Sequence, residues 1–257
     1  MSKEKNMIEN SIIARNSTGK KARSLNFTYP TLEAVEFAYR AGFDSIHLDG
    51  EHGAFSPPEI DNMVAAAHMG GMTVTCRPRN FEPTEIIMWL DRGIQGIMAP
   101  HVETGEQAEA LVEACLFDPR GHRSWGTHRG TEFNDTEILS SRFGGRKNFT
   151  EFANDNMLIF AQVESHKGYE NLNDILAVEN LTAITYGHFD LALSMHMPGE
   201  GLGNPKIDAI QADMEVRSRA AGKGLMSDYF VMVNLQDLIT QNGRNFVKAN
   251  ANEVFPK

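Results

Sequence analysis

The stretch AGFDSIHLDGEHG, residues 41–53, decides the fold. Residues 45–48 are rich in apolar side chains, have the length of a short buried strand, and run directly into Asp49, Glu51 and His52. Packing does not favour two carboxylates and an imidazole so close together, because a buried charge is costly unless it is paired or bound to a metal. Polar groups at strand ends are typical of α/β enzyme sites. We therefore expect a functional site at the end of this strand; the alternative is an ordinary polar loop with a helix cap.

The same strand-then-helix pattern repeats along the chain. Helical segments with Pro or Thr near their starts and Gly at their ends separate eight expected strands. These strands are expected at residues 22–29, 45–49, 73–77, 96–100, 157–164, 181–187, 224–228 and 245–250. Repeated βα units imply parallel strands with right-handed crossovers, and eight of them predict a single-domain (β/α)8 TIM barrel. An open doubly wound sheet is the alternative, but no GxGxxG motif follows the first strand.

Two segments depart from this pattern. Residues 1–21 are polar and of mixed charge, and the barrel is expected to span residues 22–257. Residues 118–156 form a polar excursion with one helical patch near residues 135–142, and excursions of this length inside a domain are often functional. Because the expected eighth strand lies close to the end of the sequence, we expect the usual closing helix to be absent or very short. The N-terminal segment or a neighbouring subunit would then cover the bottom of the barrel.

Composition excludes several classes of function. The 257 residues carry a formal net charge of −10, which argues against non-specific nucleic-acid binding. The sequence contains neither an apolar run long enough to span a membrane nor a secretory signal. Cys76 and Cys115 lack the spacing of a metal site and are expected to be free thiols. We expect a cytoplasmic protein with neither nucleic-acid nor membrane partners.

In a barrel, the carboxyl ends of the strands form the catalytic face. Glu164 and Asp190 follow adjacent strands, and two such carboxylates repel unless a proton or cation lies between them. Oxygen ligands suit Mg²⁺ or Mn²⁺. Arg77 supplies a cation for an oxyanion, and His52 is a candidate general base whose tautomer Asp49 would set. The set predicts proton transfer and carbon–carbon bond chemistry on a 2-oxo acid whose enolate a metal stabilises.

Each of these side chains also has a structural interpretation. Glu164 and Asp190 can serve as helix caps, and Arg77 can form a structural ion pair with Asp49. Their shared location at one end of several strands favours the functional interpretation.

Six segments together resemble a known family. These are AGFDSIHLDGEHG, CRP, LDRGIQGIMAPHVET, DPRGHRSWG, QVES and GHFDLALSM. In this order they resemble the HpcH/HpaI family of class II pyruvate aldolases over roughly residues 22–250. The resemblance implies a (β/α)8 barrel, usually assembled as a homo-hexamer, that reversibly cleaves a 4-hydroxy-2-oxo acid to pyruvate or a related 2-oxo acid plus an aldehyde. It also implies a divalent metal cation, with Mg²⁺ or Mn²⁺ foremost and Co²⁺ or Zn²⁺ as further options.

The resemblance also implies roles for individual residues. By position, Glu164 and Asp190 match the two metal ligands. His52 matches the base that handles the 4-hydroxyl proton with Asp49 and a water, and Arg77 matches the residue that holds the 2-oxo oxygen.

Further positions match substrate-binding residues. Gln162 lies in the matching strand, and the backbone of Gly187, His188 and Phe189 matches the loop that binds the substrate carboxylate. Asp91 matches a residue that reaches the aldehyde side of a neighbouring subunit's site. The usual Gly-Pro-x-Asp is replaced here by residues 187–190, so the substrate-carboxylate loop carries a histidine and a phenylalanine of its own.

Two other functions remain open from the sequence. One is a Schiff-base aldolase that uses Lys248 on the expected eighth strand, where burial would lower the lysine pKa, or Lys167 beyond the fifth strand. The other is a non-catalytic barrel that binds a metal or a small ligand.

Overall fold

The computed structural model describes residues 9–252, and within them eight strands and thirteen α-helices form an α/β fold. The strands are β1 Ala22–Phe27, β2 Ser45–Asp49, β3 Thr73–Arg77, β4 Gly96–Ala99, β5 Leu158–Gln162, β6 Ala183–Thr185, β7 Gly224–Leu225 and β8 Phe230–Asn234. The helices are α1 Ser11–Asn16, α2 Leu32–Ala41, α3 Pro57–Met69, α4 Pro83–Asp91, α5 Gly105–Cys115, α6 Thr136–Phe143, α7 Arg146–Asp155, α8 His166–Glu170, α9 Leu172–Ala177, α10 His188–Ser194, α11 Pro205–Ala220, α12 Met226–Tyr229 and α13 Leu235–Ala249.

All neighbouring strands are parallel, in the order β7-β6-β5-β4-β3-β2-β1-β8. This confirms the predicted eight parallel strands. The register between β2 and β3 runs from Ser45 opposite Thr73 to Asp49 opposite Arg77. The two polar side chains that end these strands therefore lie side by side at the carboxyl edge of the sheet.

The sheet curls strongly. Phe160 of β5 contacts Phe230 of β8, with ring centroids 6.0 Å apart, although four strands separate β5 from β8 in the sheet. These rings belong to an apolar cluster enclosed by the sheet, whose members are Ile12, Ala22, Met98, Leu158, Phe160, Ala183 and Phe230. Within residues 9–252, backbone hydrogen bonds do not join β7 to β8. The sheet is therefore a curled half-barrel whose two edge strands are β7 and β8.

The other side chains of each strand pack against the helices. In β2, Ile46 and Leu48 are completely buried in the main core, whereas Ser45, His47 and Asp49 alternate with them and face the enclosed side. This alternation gives the interior of the sheet a polar character at β2 and β3, and the site is built from it.

The N-terminal segment covers the amino ends of the strands. Ile12 of α1 is fully buried in the enclosed cluster. The Asn10 side chain caps α1 and also donates to the carbonyl oxygens of Gln95 at 3.1 Å and Asn156 at 2.9 Å. The described part of this segment therefore lies over the bottom of the sheet, which is one of the two alternatives expected from the sequence.

Two expectations for the C-terminal part of the chain are wrong: the position of the eighth strand and the absence of a closing helix. The eighth strand lies at Phe230–Asn234, and residues 245–250 lie in and just after α13 instead of forming a strand. The strand forms here because residues 230–234 pair with β1 and Phe230 packs on Phe160. Both interactions join residues that are distant in the sequence. The closing helix, α13, is consequently present, but almost all of it is exposed, including Phe246 at 70%.

The polar excursion is more ordered than its composition predicts. The helical patch near residues 135–142 is confirmed as α6, and α7 follows it. Aromatic side chains hold the segment together, in a cluster formed by Phe117, Leu139, Phe149 and Ala153 with Trp125 and Phe143 packed against it. No helix in residues 9–252 is both long enough and apolar enough to cross a membrane.

Candidate active site

An ion pair at the ends of β2 and β3 forms one side of the site. Arg77 binds Asp49 through two parallel hydrogen bonds, from Nε to Oδ1 at 2.9 Å and from Nη2 to Oδ2 at 2.6 Å. Its third nitrogen, Nη1, lies 2.9 Å from Glu51 Oε2. Burial raises the pKa of Asp49, but the hydrogen bond and charge of Arg77 outweigh it and hold that pKa below its usual value. Both partners are therefore ionised at neutral pH.

A histidine connects this ion pair to the end of β5. His101 Nε2 lies 2.9 Å from Glu51 Oε1, and His101 Nδ1 lies 3.1 Å from Glu164 Oε1. The backbone N–H of His101 also donates to Glu164 Oε1 at 3.0 Å. His101 adopts a φ of 54°, a left-handed conformation that costs a non-glycine residue on the order of 1 kcal/mol. This strained backbone places the ring between two carboxylates.

Glu164 is the most deeply buried carboxylate of the site, with 2% of the residue exposed. Burial raises its pKa; hydrogen bonds from His101 and Gln162 and the charge of His101 oppose the rise, while the charge of Asp190 adds to it. The amide of Gln162 donates to Glu164 Oε2. A Cβ atom at Gly187 would overlap the same oxygen, so a larger residue at this position would displace the carboxylate of Glu164.

Three side chains can hold a metal ion together. One ligand atom from each of Glu51, His101 and Glu164 lies within 4.8 Å of the others. Two carboxylates and an imidazole suit Mn²⁺, Co²⁺ or Zn²⁺, and carboxylates with water suit Mg²⁺. The donor set therefore fits a divalent cation, which would also offset the burial of Glu164. Asp190 is exposed in the first turn of α10 and lies outside this group, although its charge acts on Glu164.

His52 lies at the rim of the site with 65% of its side chain exposed. Its ring Nε2 is 3.8 Å from Glu51 Oε2. The contact between His52 and Asp49 is made by the backbone, because the His52 N–H and not the ring donates to Asp49 Oδ1, at 3.3 Å. The expected contact between Asp49 and the His52 ring is not formed, because both oxygens of Asp49 bind Arg77. Glu51 is the carboxylate that faces the imidazole.

The predicted substrate-carboxylate loop lies beside Glu164. Gly187 precedes α10, and His188 begins that helix with its Nδ1 at 2.7 Å from the side-chain nitrogen of Gln211. Phe189 is exposed and its ring packs over Gly201. The two residues that replace the usual sequence thus lie at the entrance, next to the buried carboxylate.

The remaining candidates lie elsewhere. Asp91 ends α4, and its Oδ1 lies 2.9 Å from Nε2 of His128 in the excursion. Lys167 pairs with Glu103 at 2.9 Å near the surface. Lys248 lies on the exposed helix α13, so the premise that it is buried in an apolar strand is wrong.

The sequence places Glu51 after the second expected strand and His101 after the fourth, but it indicates no specific role for either. Their position directly after β2 and β4 is the available signal. The left-handed conformation of His101, which turns the ring toward Glu164, has no marker in the sequence.

Comparisons with known proteins show which proteins this chain is similar to. The family model of the HpcH/HpaI aldolase/citrate lyase family matches residues 30–253. The chain is 29% identical over 217 residues to the 2-keto-3-deoxy-L-rhamnonate aldolase of Escherichia coli K12, covering 84% of this chain and 78% of that protein. It is 31% identical over 189 residues to the protein of the same name from Salmonella newport, covering 74% and 67% respectively.

Solved structures show a similar fold. An HpcH/HpaI aldolase from Desulfitobacterium hafniense superposes with a TM-score of 0.80 at 21% identity, covering 95% of this chain and 97% of that one. Macrophomate synthase superposes with a TM-score of 0.79 at 19% identity, covering 97% and 94%.

Proposed function

The chain belongs to the HpcH/HpaI aldolase/citrate lyase family, and from this premise we propose that it is a metal-dependent aldolase. The proposed reaction is the reversible cleavage of a 4-hydroxy-2-oxo acid to pyruvate, or a related 2-oxo acid, plus an aldehyde. The names of the Escherichia coli and Salmonella relatives favour a 2-keto-3-deoxy sugar acid as the substrate class. The observation that carries the proposal is the location of the Arg77 guanidinium next to the group formed by Glu51, His101 and Glu164.

Glu164, Glu51 and His101 would hold the cation, with Asp190 as a nearby further carboxylate. Mg²⁺ or Mn²⁺ are the proposed ions; a bound ion of this kind supplies positive charge opposite the carboxylate and 2-oxo oxygens of the substrate. The imidazole of His101 favours Mn²⁺, Co²⁺ or Zn²⁺ over Mg²⁺.

Arg77 is the proposed oxyanion donor. Two of its five N–H groups donate to Asp49, and Nη1 lies 2.9 Å from Glu51 as an ion pair, so the guanidinium keeps further N–H groups for the substrate. Two carboxylates fix the guanidinium before the substrate arrives, so its hydrogen bonds require little reorganisation as negative charge develops on the 2-oxo oxygen.

His52 is the proposed base. It removes the proton of the 4-hydroxyl, the C3–C4 bond breaks, and the electron pair becomes the enolate of the 2-oxo acid while C4 becomes the aldehyde carbon. Proton return to C3 completes the reaction. Glu51, 3.8 Å from His52 Nε2, stabilises the imidazolium.

Substrate binding would complete the site. The backbone of Gly187, His188 and Phe189 would receive the substrate carboxylate, with Gln162 holding Glu164 in place. Asp91 would act at the aldehyde side of a neighbouring subunit.

Proton exchange at C3 of pyruvate tests this function. Incubation of the protein with pyruvate and Mn²⁺ in D₂O should remove the methyl proton signal, and Arg77→Ala should abolish the exchange whereas Arg79→Ala should retain it. If Mn²⁺ and Mg²⁺ both fail to support exchange, the non-catalytic ligand-binding barrel is the better assignment. Exchange that survives EDTA and is lost after borohydride treatment with substrate would assign a Schiff base instead.

The histidine ligand has a separate test. His101→Gln should weaken Mn²⁺ binding by roughly ten- to a hundredfold, as loss of support for a metal site does. Pulsed electron paramagnetic resonance of bound Mn²⁺ should show nitrogen coupling that disappears in this variant. Unchanged affinity and coupling would leave Glu164 and Asp190 as the ligand pair.

Assembly and location are also part of the proposal. Exposed apolar residues along α13, including Ile239, Phe246 and Val247, support a homo-oligomer, and a hexamer is the proposed state. The free thiols of Cys76 and Cys115 support a reducing, cytoplasmic location. Residues 22–257 are the proposed catalytic domain, and the short α12 link between β7 and β8 supports closure of the sheet into a (β/α)8 barrel. Sedimentation of the intact protein measures the oligomeric state.

A further inference from the structure

A second cavity lies at the opposite end of the strands from Glu164. Its volume is about 60 Å³, enough for several water molecules or a small oxyanion. Residues that precede β4 and β5 form its floor, and the polar excursion covers it. The side chains that matter are His68, Arg123, Arg129, Glu132 and Phe133.

Arg123 is a buried cation without a counter-ion. The residue is 8% exposed, and no carboxylate of residues 9–252 lies within ion-pair distance of it. Its Nη2 donates only to the carbonyl oxygens of Leu90 and Gly130, at 3.2 and 3.3 Å, and its Nε has no hydrogen-bond partner in the described chain. Burial lowers the pKa of Arg123 to about 10, with the more distant charge of Asp91 acting against the decrease.

A second guanidinium and an imidazole line the same cavity. The buried Nε of Arg129 lacks a hydrogen-bond partner among residues 9–252, and its guanidinium lies 5.6 Å from the centre of the Phe133 ring. His68 is 6% exposed, and its Nε2 is likewise unpartnered within that part of the chain. Burial and the charge of Arg129 lower the pKa of His68 to about 4.

Glu132 does not neutralise these groups. Its closest basic group is Arg142, 3.8 Å away, on the side of the excursion. Burial raises the pKa of Glu132, and the charges that act on it are those of Arg142 and Asp135 and not those of Arg123 or Arg129.

A left-handed turn covers the cavity. Glu132, Phe133 and Asn134 have φ values of 51°, 53° and 54°, which are unusual for three consecutive non-glycine residues. Asn134 is fixed by hydrogen bonds from Trp125 and Arg146. The turn holds Glu132 and Phe133 over the two guanidiniums.

We propose that this cavity binds a small oxyanion, a carboxylate or a phosphate group, between Arg123, Arg129 and His68. The buried guanidinium of Arg123 and the partly buried guanidinium of Arg129 each have an Nε–H without an acceptor in the described chain, and the oxygens of a bound anion would supply one. Guanidinium geometry matches carboxylate and phosphate oxygens in pairs. The proposal does not depend on the proposed aldolase activity, because the cavity shares no residue with the site at the carboxyl ends of the strands.

Calorimetric titration of the intact protein with inorganic phosphate, and separately with acetate, tests the proposal. Both are measured at constant ionic strength, with chloride as the competing anion. Saturable binding of one ion per chain is expected, and the tighter of the two identifies the preferred head group. Absence of saturable binding of either ion would overturn the proposal.

Variants locate the ion. Arg129→Gln should weaken binding at least tenfold, whereas Arg120→Gln, which removes an exposed arginine of the same excursion that pairs with Asp155, should not. Equal affinity in both variants would contradict the assignment. A third variant, Arg77→Ala, changes the other end of the strands and leaves the cavity intact. Unchanged anion binding in this variant supports the cavity, whereas lost binding would place the ion at the carboxyl ends of the strands.

Discussion

The two ends of the sheet enclose opposite balances of charge. At the carboxyl ends of the strands, three carboxyl groups, those of Asp49, Glu51 and Glu164, surround the single guanidinium of Arg77. In the second cavity, at the amino ends of the strands, the guanidiniums of Arg123 and Arg129 lie near the carboxyl group of Glu132 but form no ion pair with it. Because buried charges require compensation, the first end favours a cation as its missing component and the second favours an anion. The same strands therefore support two sites with different ligand chemistry.

The pairing within each end differs as well. Burial works against the charge of Arg77, but hydrogen bonds and charges from Asp49, Glu51 and Glu164 outweigh it and raise the Arg77 pKa. Arg123 has no such partners, and its pKa is lowered. A cation that its carboxylates fix in place is suited to catalysis, and one without partners is suited to binding a ligand that brings its own negative charge.

Glu164→Gln should have the largest effect, because it removes the buried carboxylate that requires a cation. Affinity for Mn²⁺ should decrease by more than about 100-fold, the upper range for loss of a supporting group, and C3 proton exchange should be lost with it. Calorimetry with Mn²⁺ measures the first, and proton magnetic resonance the second. Glu113→Gln, at a surface carboxylate beside His122, is the control and should change neither. Full Mn²⁺ affinity in Glu164→Gln would remove Glu164 from the metal site.

Arg77→Lys should have the next largest effect, on turnover. A lysine keeps the charge but cannot bind Asp49 in two parallel bonds and still reach Glu51 and the substrate. Loss of one preorganised oxyanion donor lowers the rate by on the order of 10²-fold, whereas Mn²⁺ affinity should remain within a few-fold of normal. Steady-state assay of pyruvate release and Mn²⁺ titration separate the two effects. A rate close to that of the unchanged protein would assign Arg77 to structure alone, as the ion pair with Asp49.

Much of this arrangement follows from the sequence. The strands 45–49 and 73–77 are marked by short segments in which apolar and polar residues alternate after a helix that ends at Gly, and the structure has them at these bounds. With both strands placed, the register that sets Asp49 opposite Arg77 follows from parallel pairing. Glu164 at the end of β5 was predicted for the same reason.

Other features depend on contacts that local sequence does not encode. Residues 230–247 contain two apolar runs too short to distinguish strand from helix, and only pairing with β1 assigns the first to the sheet. The roles of His101 and of the Glu132–Asn134 turn depend on left-handed backbone at residues that are not glycine. The unpartnered charge of Arg123 is visible only once the excursion folds over it.

Each region contains a buried histidine, and their titration gives a third, smaller comparison. His47 lies below the Asp49–Arg77 pair, and His68 lines the second cavity. Burial lowers the pKa of each from 6.5 to about 4. Between pH 6.5 and 4 the unfolded chain binds more protons at these histidines than the folded chain does. The free energy of unfolding that is present above pH 6.5 is therefore lost as pH falls toward 4. Each histidine contributes up to about 3 kcal/mol to this loss, from the linkage between pKa and free energy.

Chemical denaturation at a series of pH values measures this effect. His47→Gln and His68→Gln should each flatten the dependence of the unfolding free energy on pH between 6.5 and 4. His122→Gln, at a surface histidine, should leave it unchanged. Parallel curves for His68→Gln and the unchanged protein would show that His68 is already charged, or solvated, in the folded state.

Asp91→Asn should have the smallest effect, and it connects the two regions. Burial lowers the pKa of His128, and the partly exposed contact between Asp91 and His128 is worth at most about 1 kcal/mol, so the melting temperature should change little. Because the charge of Asp91 also acts on Arg123, its removal should tighten phosphate binding in the cavity by a few-fold while C3 exchange of pyruvate stays unchanged. If Asp91 serves a neighbouring subunit, KM for the aldehyde should rise in the condensation direction without a change in exchange. A loss of exchange itself would place Asp91 in the pyruvate half of the reaction, where neither the geometry nor the resemblance puts it.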